Sequence, residues 1–358
     1  MIKGGRLYLR QLTRNRLGVS NSRMEIKPAS VIGGGAWGTA IANQLASKGV
    51  PVALWAYEKE VAQEINEKHT NAVFLPGITL DAKIGGTSDL AYACKSHVIF
   101  FVVPSHVMEG VIKSMAQQIP PDAIIVSATK GIENGRLRMP SEIFDELLLP
   151  QAAQNLVCLS GPSFAREVAL GLPTAVTAAS RMPAAASAVQ EIISDHRMRV
   201  YTHDDMIGVE LGGATKNVIA IAAGISDGLK LGLNARAALL TRGLAEMIRM
   251  GKAMGAREAT FAGLSGIGDL ILTATGDLSR NRTVGMRIGG GETVKQITSG
   301  MKSVAEGVET SRAIYELAKI KNVDMPVCKE VYMVCHEGKN PKAAVADLMK
   351  RKLKEEFY

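Results

Sequence analysis

The sequence lacks several features that would place it in a specialised protein class. Its 358 residues include only four cysteines (Cys94, Cys158, Cys328 and Cys335), whose spacing fits no metal site or disulfide framework. We therefore expect free, mostly buried thiols in a reducing compartment. The longest apolar runs, such as 98–103, fall far short of the ~20 residues that a membrane-spanning helix needs. Internal repeats and low-complexity segments are also absent.

Acidic residues are missing from residues 1–23, which carry six basic side chains instead. These six account for most of the net charge of +8, so the rest of the chain is nearly neutral. The basic balance is therefore a property of this tail and does not indicate a nucleic-acid partner. An organelle-targeting segment, a disordered basic arm and an upstream start before Met24 are the three interpretations. We expect a tail that is disordered or not translated.

A glycine motif follows the first predicted strand, 29–32. The run Gly33-x-Gly35-x-x-Gly38 leads into a helix-forming stretch, 40–48, and a second strand, 51–56, completes a β-α-β unit. The first glycine makes a tight turn, the second lets a pyrophosphate approach the backbone, and the third packs the helix on the sheet. The helix N-terminus favours phosphate. The predicted dinucleotide site comprises Gly33, Gly34, Gly35, Ala36, Trp37 and Gly38.

The sequence does not identify the residue that determines the preference for NAD or NADP. Glu58 lies 20 residues beyond Gly38, where an acidic ligand of the ribose is often found. An exposed surface glutamate is an equally good interpretation. Both dinucleotides therefore stay open as cofactors.

Three later apolar runs, 98–103, 123–128 and 156–159, are typical of buried parallel strands. They end at the loops Pro104-Ser105-His106, Thr129-Lys130-Gly131 and Ser160-Gly161-Pro162-Ser163. Ligands of open α/β sheets bind beyond the carboxyl ends of the strands, so these loops point to one crevice. Lys130 lies in that crevice, and we favour a functional role for it over a merely solvated lysine.

Two further strands, 174–179 and 198–201, close the first half, and helical patterns dominate beyond His203. The predicted fold class is α/β plus all-α: a Rossmann-type doubly wound sheet followed by a C-terminal helical substrate domain. We predict a tail at 1–23, a dinucleotide-binding domain at 24–203 and a helical catalytic domain at 204–358.

Lys216 and Asn217 interrupt an apolar predicted helix, and Gly212 and Gly213 lie one turn before them. Glycine inside a helix is unfavourable by about 1 kcal/mol relative to alanine, so this pair indicates a close approach of backbone or ligand. Burial lowers the pKa of a lysine, and a nearby cation such as Lys130 would lower it further. Such a lysine can exchange a proton with an alcohol near neutral pH.

Two more clusters follow in the helical half. Asp269 and Thr273 are four residues apart and so share a helix face, and a lysine is the natural partner of a buried carboxylate. The run Ser279-Arg280-Asn281-Arg282 combines arginine with an amide, which suits a multidentate grip on phosphate. Ordinary basic surface remains an equal alternative for that run.

Together these motifs resemble the NAD(P)-dependent glycerol-3-phosphate dehydrogenases, most closely the soluble bacterial branch. The resemblance runs in order from residue 29 to about residue 335. Besides the glycine motif, the matching runs are Val103-Pro104-Ser105-His106, Ala128-Thr129-Lys130-Gly131-Ile132-Glu133, Ser160-Gly161-Pro162-Ser163-Phe164-Ala165, Gly208-Val209-Glu210-Leu211-Gly212-Gly213-Ala214-Thr215-Lys216-Asn217, Asn234-Ala235-Arg236-Ala237-Ala238-Leu239, Thr241-Arg242-Gly243-Leu244, Gly268-Asp269-Leu270 and Ser279-Arg280-Asn281-Arg282.

The resemblance implies NAD(P)H-dependent, reversible reduction of dihydroxyacetone phosphate to sn-glycerol 3-phosphate, which supplies phospholipid synthesis. It implies a catalytic set in which Lys216 exchanges the proton at the C2 oxygen, Lys130 polarises that oxygen and Asp269 orients Lys216. The implied substrate ligands are Lys130, Gly161, Ser163, Asn217, Thr273, Ser279, Arg280 and Asn281.

The resemblance also implies cofactor ligands outside the glycine motif. They are Tyr57, His106, Lys130, Ala165, Arg280, Val304 and Glu306. The chemistry needs no metal, because the dinucleotide supplies the hydride and the lysines stabilise charge on the oxygen. A cytoplasmic homodimer without nucleic-acid partners or integral membrane association is the accompanying expectation.

Two other functions fit parts of the sequence. A hydroxyacid or sugar-acid dehydrogenase would share the two-domain plan and the Lys216-Asn217 pair, but it would not need the arginine-rich run after Asp269. A non-catalytic NAD(H)-binding regulator could use the basic tail on nucleic acid, and it would tolerate the loss of Lys216.

Overall fold

The computed structural model describes residues 28–299, 305–353 and 355–356. The basic tail at 1–23 and Val304 lie outside these described residues, so the predictions made for them stay predictions. Within the described ranges, a β-sheet with flanking helices comes first and a helical region follows.

One sheet of eight strands forms the first half. Its strands are β1 (Ala29–Ile32), β2 (Val52–Trp55), β3 (Ile84–Thr87), β4 (Val98–Phe101), β5 (Ile124–Ser127), β6 (Leu156–Ser160), β7 (Thr174–Ala179) and β8 (Met198–His203). The order is β3-β2-β1-β4-β5-β6-β7-β8, and only the β6–β7 pair is antiparallel. The chain leaves β1 towards β3 and returns to β4 on the other side. The carboxyl ends of β1 and β4 therefore flank the switch point where such sheets bind ligands.

Helices cover both faces of this sheet and build the second half. Those before β8 are α1 (Ala36–Ser47), α2 (Lys59–Lys68), α3 (Leu90–Ala93), α4 (Met108–Met115), α5 (Pro140–Leu147), α6 (Pro150–Gln154), α7 (Ala165–Ala169) and α8 (Pro183–Ile193). Those after β8 are α9 (Met206–Gly228), α10 (Gly232–Ala253), α11 (Glu258–Phe261), α12 (Asp269–Thr275), α13 (Arg280–Gly289), α14 (Val294–Ser299), α15 (Glu306–Lys321), α16 (Pro326–His336) and α17 (Pro341–Met349). A π-helical turn, Leu264–Gly268, leads directly into α12.

The predicted fold class is confirmed, with two local differences. The sequence does not predict β3, because its two central residues, Gly85 and Gly86, give no apolar pattern and disfavour a strand interior. Helix α1 begins at Ala36, four residues before the predicted start. Trp37 and Gly38 therefore lie in its first turn.

Three apolar clusters form the core. Alternating strand residues such as Val31 and Ile32 point into separate clusters on the two faces of the sheet. The third cluster surrounds α9, whose first turns also reach the sheet core through Met206 and Val209. Helix α9 therefore connects the two halves of the chain.

Helix α9 is also the one helix among the described residues long and apolar enough to cross a membrane. Its most apolar 18-residue window is 94% buried inside the fold. Packing against α10, α12, α13 and α15 accounts for this burial, as in the core helix of a globular domain.

Glycines let helices α9 and α13 cross so closely that their backbones are in contact. A Cβ atom on Gly285 would collide with the carbonyl oxygen of Ile221, and one on Gly224 would collide with that of Arg282. A Cβ atom on Gly228 would lie 2.9 Å from the Cα atom of Gly289. This close crossing brings the N-terminus of α13 beside the middle of α9, where Lys216 lies.

We expect Gly285→Ala to lower the free energy of unfolding by about 1–3 kcal/mol, because the added methyl group overpacks the α9–α13 crossing. Urea unfolding of the purified chain measures this. Gly110→Ala in α4 is the matched control, since a Cβ atom there meets nothing within 4 Å. The control should gain up to about 1 kcal/mol from helix propensity. Equal effects of the two changes would contradict the packing argument.

Candidate active site

The glycine motif forms a cradle at the carboxyl end of β1. Gly33 has a φ of +124°, and a Cβ atom there would lie 2.5 Å from the carbonyl oxygen of Val102. A Cβ atom on Gly38 would collide with the carbonyl oxygen of Gly33, whereas one on Gly35 would meet nothing within 4 Å. The predicted turn at Gly33 and close packing at Gly38 are confirmed, and space is open above Gly35.

This cradle fits the pyrophosphate of a dinucleotide. Gly35 is the N-cap of α1, and Ala36 and Trp37 follow it in a first turn that carries no acidic residue. The amides and dipole of the helix end therefore face the open space without a competing carboxylate on that turn. Gly34 is buried beneath this loop. A Cβ atom on Gly34 would lie 2.7 Å from that of Ala56, so the position has no room for a side chain.

Asn71 fixes the cradle from below, and the sequence did not single it out. Its Nδ2 donates to the carbonyl oxygen of Gly34 at 2.8 Å and to the hydroxyl of Thr39 at 2.9 Å. Its Oδ1 accepts from the amide of Phe74 at 3.2 Å, and the residue is fully buried. An asparagine in a predicted loop gives no stronger signal than a turn, so its role was visible only in the structure.

Two lysines meet one buried carboxylate beyond the sheet. Lys216 Nζ, from α9, lies 2.6 Å from Asp269 Oδ1, and Lys130 Nζ, from the loop after β5, lies 2.7 Å from Asp269 Oδ2. Lys216 also donates to the hydroxyl of Thr273 at 2.7 Å, and that hydroxyl donates to Asp269 Oδ1 at 3.2 Å. The predicted Asp269–Thr273 face and its lysine partner are therefore confirmed as a contact.

The surroundings tune the charges of this cluster. Burial lowers the pKa of Lys216 to about 7; Asp269 acts to raise it and the charge of Lys130 acts to lower it. Burial alone would raise the pKa of Asp269, but the two lysines hold it below its usual value. Asp269 is thus a carboxylate, and Lys216 can gain or lose a proton near neutral pH.

The helix glycines explain how these groups come together. A Cβ atom on Gly213 would lie 2.9 Å from the hydroxyl oxygen of Ser160 and 3.6 Å from Cγ of Lys130. One on Gly212 would lie 2.5 Å from the carbonyl oxygen of Ser265 in the π-helical turn. The glycine face of α9 therefore admits the ends of β5 and β6 on one side and the approach to α12 on the other.

The loop after β6 borders the lysine pair. Gly161 has a φ of +142°, and its carbonyl oxygen accepts from Lys130 Nζ at 3.4 Å and from the hydroxyl of Ser163 at 3.0 Å. Ala165 begins α7, which packs on α1. The structure thus brings Gly161 and Ser163 to the site, with Ala165 near the cradle helix.

Asn217 and Asn281 bind each other. Asn281 Nδ2 donates to Asn217 Oδ1 at 2.9 Å, and the amide of Gly307 donates to Asn281 Oδ1 at 3.0 Å. Asn217 Nδ2 also lies 3.4 Å from the carbonyl oxygen of Gly213. These hydrogen bonds join α9, α13 and α15 beside Lys216, an arrangement that spacing in the sequence could not reveal.

Arg280 and Arg282 have different partners. Arg282 donates to Asp227 at 2.9 Å and to Asp277 at 2.9 Å, so its charge is already paired. Arg280 makes no salt bridge with any described residue; burial lowers the pKa of its guanidinium, and the charge of Glu306 opposes that shift. Ser279 caps α13 by accepting from the amide of Arg282 at 3.2 Å. Arg280 is therefore the arginine available to an anion.

The N-terminus of α15 approaches the loop after β4. Glu306 accepts from the hydroxyl of Ser105 at 2.6 Å and from its amide at 3.3 Å. His106 is exposed next to this contact, and Tyr57 is 82% exposed after β2. No described contact brings Tyr57 to the lysine pair. Among the described residues, no group of three or more His, Cys, Asp or Glu side chains could hold a metal ion.

The chain is similar in sequence and in structure to known proteins. Residues 28–186 match the family model "NAD-dependent glycerol-3-phosphate dehydrogenase N-terminus", and residues 205–346 match the C-terminus model. A glycerol-3-phosphate dehydrogenase [NAD(P)+] of Citrifermentans bemidjiense is 53% identical over 91% of this chain and 98% of its own length. A crystal structure of glycerol-3-phosphate dehydrogenase from Coxiella burnetii has 39% identity and a TM-score of 0.86, covering 91% of this chain and 99% of its own. A structure of the Plasmodium falciparum enzyme has 25% identity and a TM-score of 0.82, covering 92% and 97%.

We expect Asp269→Asn to lower the pKa of Lys216 and Lys130→Met to raise it. The first change removes an attracting anion and the second a repelling cation. The pH dependence of acetic anhydride labelling at Lys216, followed by mass spectrometry, measures both shifts. Exposed Lys252 in the same digest corrects for the reagent. Shifts of the same sign in the two variants would contradict the charge balance described here.

Proposed function

The chain belongs to the NAD-dependent glycerol-3-phosphate dehydrogenase family, and we propose that Lys216, Lys130 and Asp269 are its catalytic residues. It is an NAD(P)-dependent oxidoreductase that interconverts dihydroxyacetone phosphate and sn-glycerol 3-phosphate. The observation that carries the residue proposal is the single carboxylate of Asp269 between two lysine ammonium groups.

Lys216 is the proton-transfer residue in this proposal. When bound, NAD(P)H supplies the hydride that is added to C2 of the ketone. Lys216 gives a proton to the C2 oxygen during reduction and takes it back during oxidation. A pKa of about 7 suits both directions near neutral pH. Asp269 and Thr273 hold its Nζ by hydrogen bonds of 2.6 Å and 2.7 Å. These hydrogen bonds fix the position of the group that exchanges the proton.

Lys130 polarises the same oxygen. Its Nζ is shared between Asp269 Oδ2 and the carbonyl oxygen of Gly161, so its position is fixed before the substrate arrives. A positioned cation stabilises the negative charge that develops on the oxygen as the hydride is added. The Lys130 ammonium would thus act on charge, while the Lys216 ammonium would supply the proton.

Arg280 grips the phosphate in this proposal. Its guanidinium has no salt-bridge partner among the described residues and stands at the N-terminus of α13. The helix end adds unpaired amides that favour an anion. Ser279, Asn281, Asn217, Gly161 and Ser163 complete the proposed substrate pocket. Binding at the phosphate end orients the ketone at the lysines.

The dinucleotide would lie along the switch point of the sheet. Gly33 to Gly38 would hold its pyrophosphate at the start of α1, where the space above Gly35 is open. The other proposed cofactor ligands are Tyr57, His106, Lys130, Ala165, Arg280, Val304 and Glu306. We propose residues 24–203 and 204–358 as the two domains, because β8 ends at His203 and α9 begins at Met206.

The cellular setting is also proposed. We expect a cytoplasmic homodimer without nucleic-acid partners or integral membrane association, which supplies glycerol 3-phosphate for phospholipid synthesis. Exposed apolar side chains at the start of α10, Leu231 and Leu233 (71% exposed), support self-association. Light scattering during size-exclusion chromatography tests the dimer, and a monomer at micromolar concentration would contradict it.

Lys216→Ala should lower kcat for dihydroxyacetone phosphate by about 10²–10⁴-fold, because the proton donor is lost. Oxidation of NADH and, separately, NADPH measures turnover, and quenching of tryptophan fluorescence by NADH shows that the cofactor still binds. Lys113→Ala, which removes a surface lysine paired with Glu109, is the control and should keep wild-type rates. An active Lys216 variant, or a wild-type chain that turns over neither cofactor, would contradict the proposal.

The pH dependence of kcat/KM should have opposite signs for the two directions of the reaction. Ketone reduction needs the protonated form of Lys216, so kcat/KM should fall as the pH rises through about 7. Alcohol oxidation needs the neutral form, so its kcat/KM should rise across the same range. Initial rates from pH 5.5 to 9 in both directions measure this. Parallel profiles would contradict a role for Lys216 in proton transfer.

A further inference from the structure

We propose that Ser105 is a positioning residue for substrate binding: it holds the carboxylate of Glu306 and so keeps Arg280 free for the substrate phosphate. The inference rests on the proposed role of Arg280 and goes beyond it, because Ser105 would act without touching the substrate. Ser105 lies after β4 in the sheet half and Glu306 begins α15 in the helical half, so their contact spans the cleft.

Glu306 is anchored by Ser105 through both carboxylate oxygens. Its Oε2 accepts from the Ser105 hydroxyl at 2.6 Å, and its Oε1 accepts from the Ser105 amide at 3.3 Å. Ser105 is itself 8% exposed, so the pair is shielded from solvent on that side. A Cβ atom on Gly131 would lie 2.8 Å from the Ser105 hydroxyl and 3.4 Å from Glu306 Oε2. Gly131 therefore leaves the room in which this contact forms.

The residues next to Arg280 and Glu306 are in contact, because the amide of Gly307 donates to Asn281 Oδ1 at 3.0 Å. The N-termini of α13 and α15 therefore lie side by side, which places the Arg280 charge near Glu306. Burial raises the pKa of Glu306, while the Ser105 hydrogen bonds, His106 and Arg280 act to lower it. Conversely, Glu306 opposes the burial that lowers the pKa of Arg280. The structure nevertheless has no salt bridge between Arg280 and Glu306, and no described residue pairs with Arg280. The carboxylate is satisfied by neutral donors beside an unpaired guanidinium.

Loss of the Ser105 hydroxyl changes which partner is best for Glu306. A carboxylate in a desolvated position needs hydrogen bonds or a cation, and arginine offers both in one planar group. The imidazole of His106 is the other nearby group, but it lacks the planar fork of donors that arginine offers a carboxylate. The freed Glu306 would pair with Arg280 and compete with the incoming phosphate. In the wild-type chain, the Ser105 hydrogen bonds would therefore prevent Glu306 from neutralising the charge of Arg280.

The test compares Ser105→Ala with the double variant Ser105→Ala/Glu306→Gln at saturating NADH. We expect Ser105→Ala to raise KM for dihydroxyacetone phosphate about 10-fold or more, a change of about 1.4 kcal/mol, with a smaller effect on kcat. Adding Glu306→Gln removes the competing charge and should bring KM back to within about 3-fold of that of Glu306→Gln alone. Calorimetry with inorganic phosphate and the cofactor-free chain should show the same loss and recovery of affinity.

Asn134→Ala is the matched control. Asn134 Nδ2 donates to Glu309 Oε2 at 2.9 Å, so this contact also joins the sheet half to the first turn of α15, one turn beyond Glu306. Its loss should leave KM for the substrate unchanged. An equal rise of KM in Asn134→Ala would show that loosening α15 is enough and would overturn the proposal.

Two results with the Ser105 variants would also overturn it. KM could stay at the wild-type value in Ser105→Ala, which would mean that Glu306 does not reach Arg280. KM could instead rise without recovery in the double variant, which would assign Ser105 a structural role. Arg280→Ala separates these results from failure of the premise: an unchanged substrate KM in that variant would remove the proposed phosphate ligand itself.

Discussion

One buried carboxylate between two ammonium groups joins the two halves of the chain at the candidate active site. Asp269 is 1% exposed, and each of its oxygens lies within 2.7 Å of a lysine Nζ, one from each half of the chain. Removing a carboxylate from water is unfavourable, and so is burying Lys216, so the pair is favourable only if the geometry is kept. The two halves must therefore dock at a fixed distance. The glycine face of α9 makes this possible, because Gly212 and Gly213 let the β6 loop and the π-helical turn approach the helix backbone.

Much of this arrangement could be predicted from short-range patterns in the sequence. The four-residue spacing of Asp269 and Thr273 gives one helix face, and an isolated lysine on an apolar helix demands an anionic partner. Strand-end loops converge because parallel strands end on the same edge of a sheet, which brought Lys130 into the crevice. The lowered pKa of Lys216 followed from burial and from the neighbouring cation, both of which the structure has. These predictions succeeded because each depends on local geometry or on one dominant charge.

Contacts between distant segments could not be predicted in this way. Strand β3 lacks an apolar pattern and is set by pairing with β2, and Asn71 supports the glycine loop from 37 residues away. The Asn281–Asn217 hydrogen bond depends on the close crossing of α9 and α13. Glycines allow this crossing, but their presence in the sequence does not predict it. From the sequence alone, the side-chain amide of an asparagine is equally able to bind a ligand, a water molecule or another amide. Which partner it takes is decided by tertiary packing, so its structural role appears only with the fold.

The proposed phosphate site lies among side chains whose charges are mostly paired. Lys130 and Lys216 already share Asp269, and Arg282 is neutralised by Asp227 and Asp277. Arg280 makes no salt bridge with any described residue, which is why we propose it as the ligand of the substrate phosphate. The Glu306 carboxylate near it accepts instead from the amide and the hydroxyl of Ser105. In the proposed site, affinity for a phosphorylated ketone would therefore depend on the restraint of an anionic side chain as well as on the presence of a cationic one.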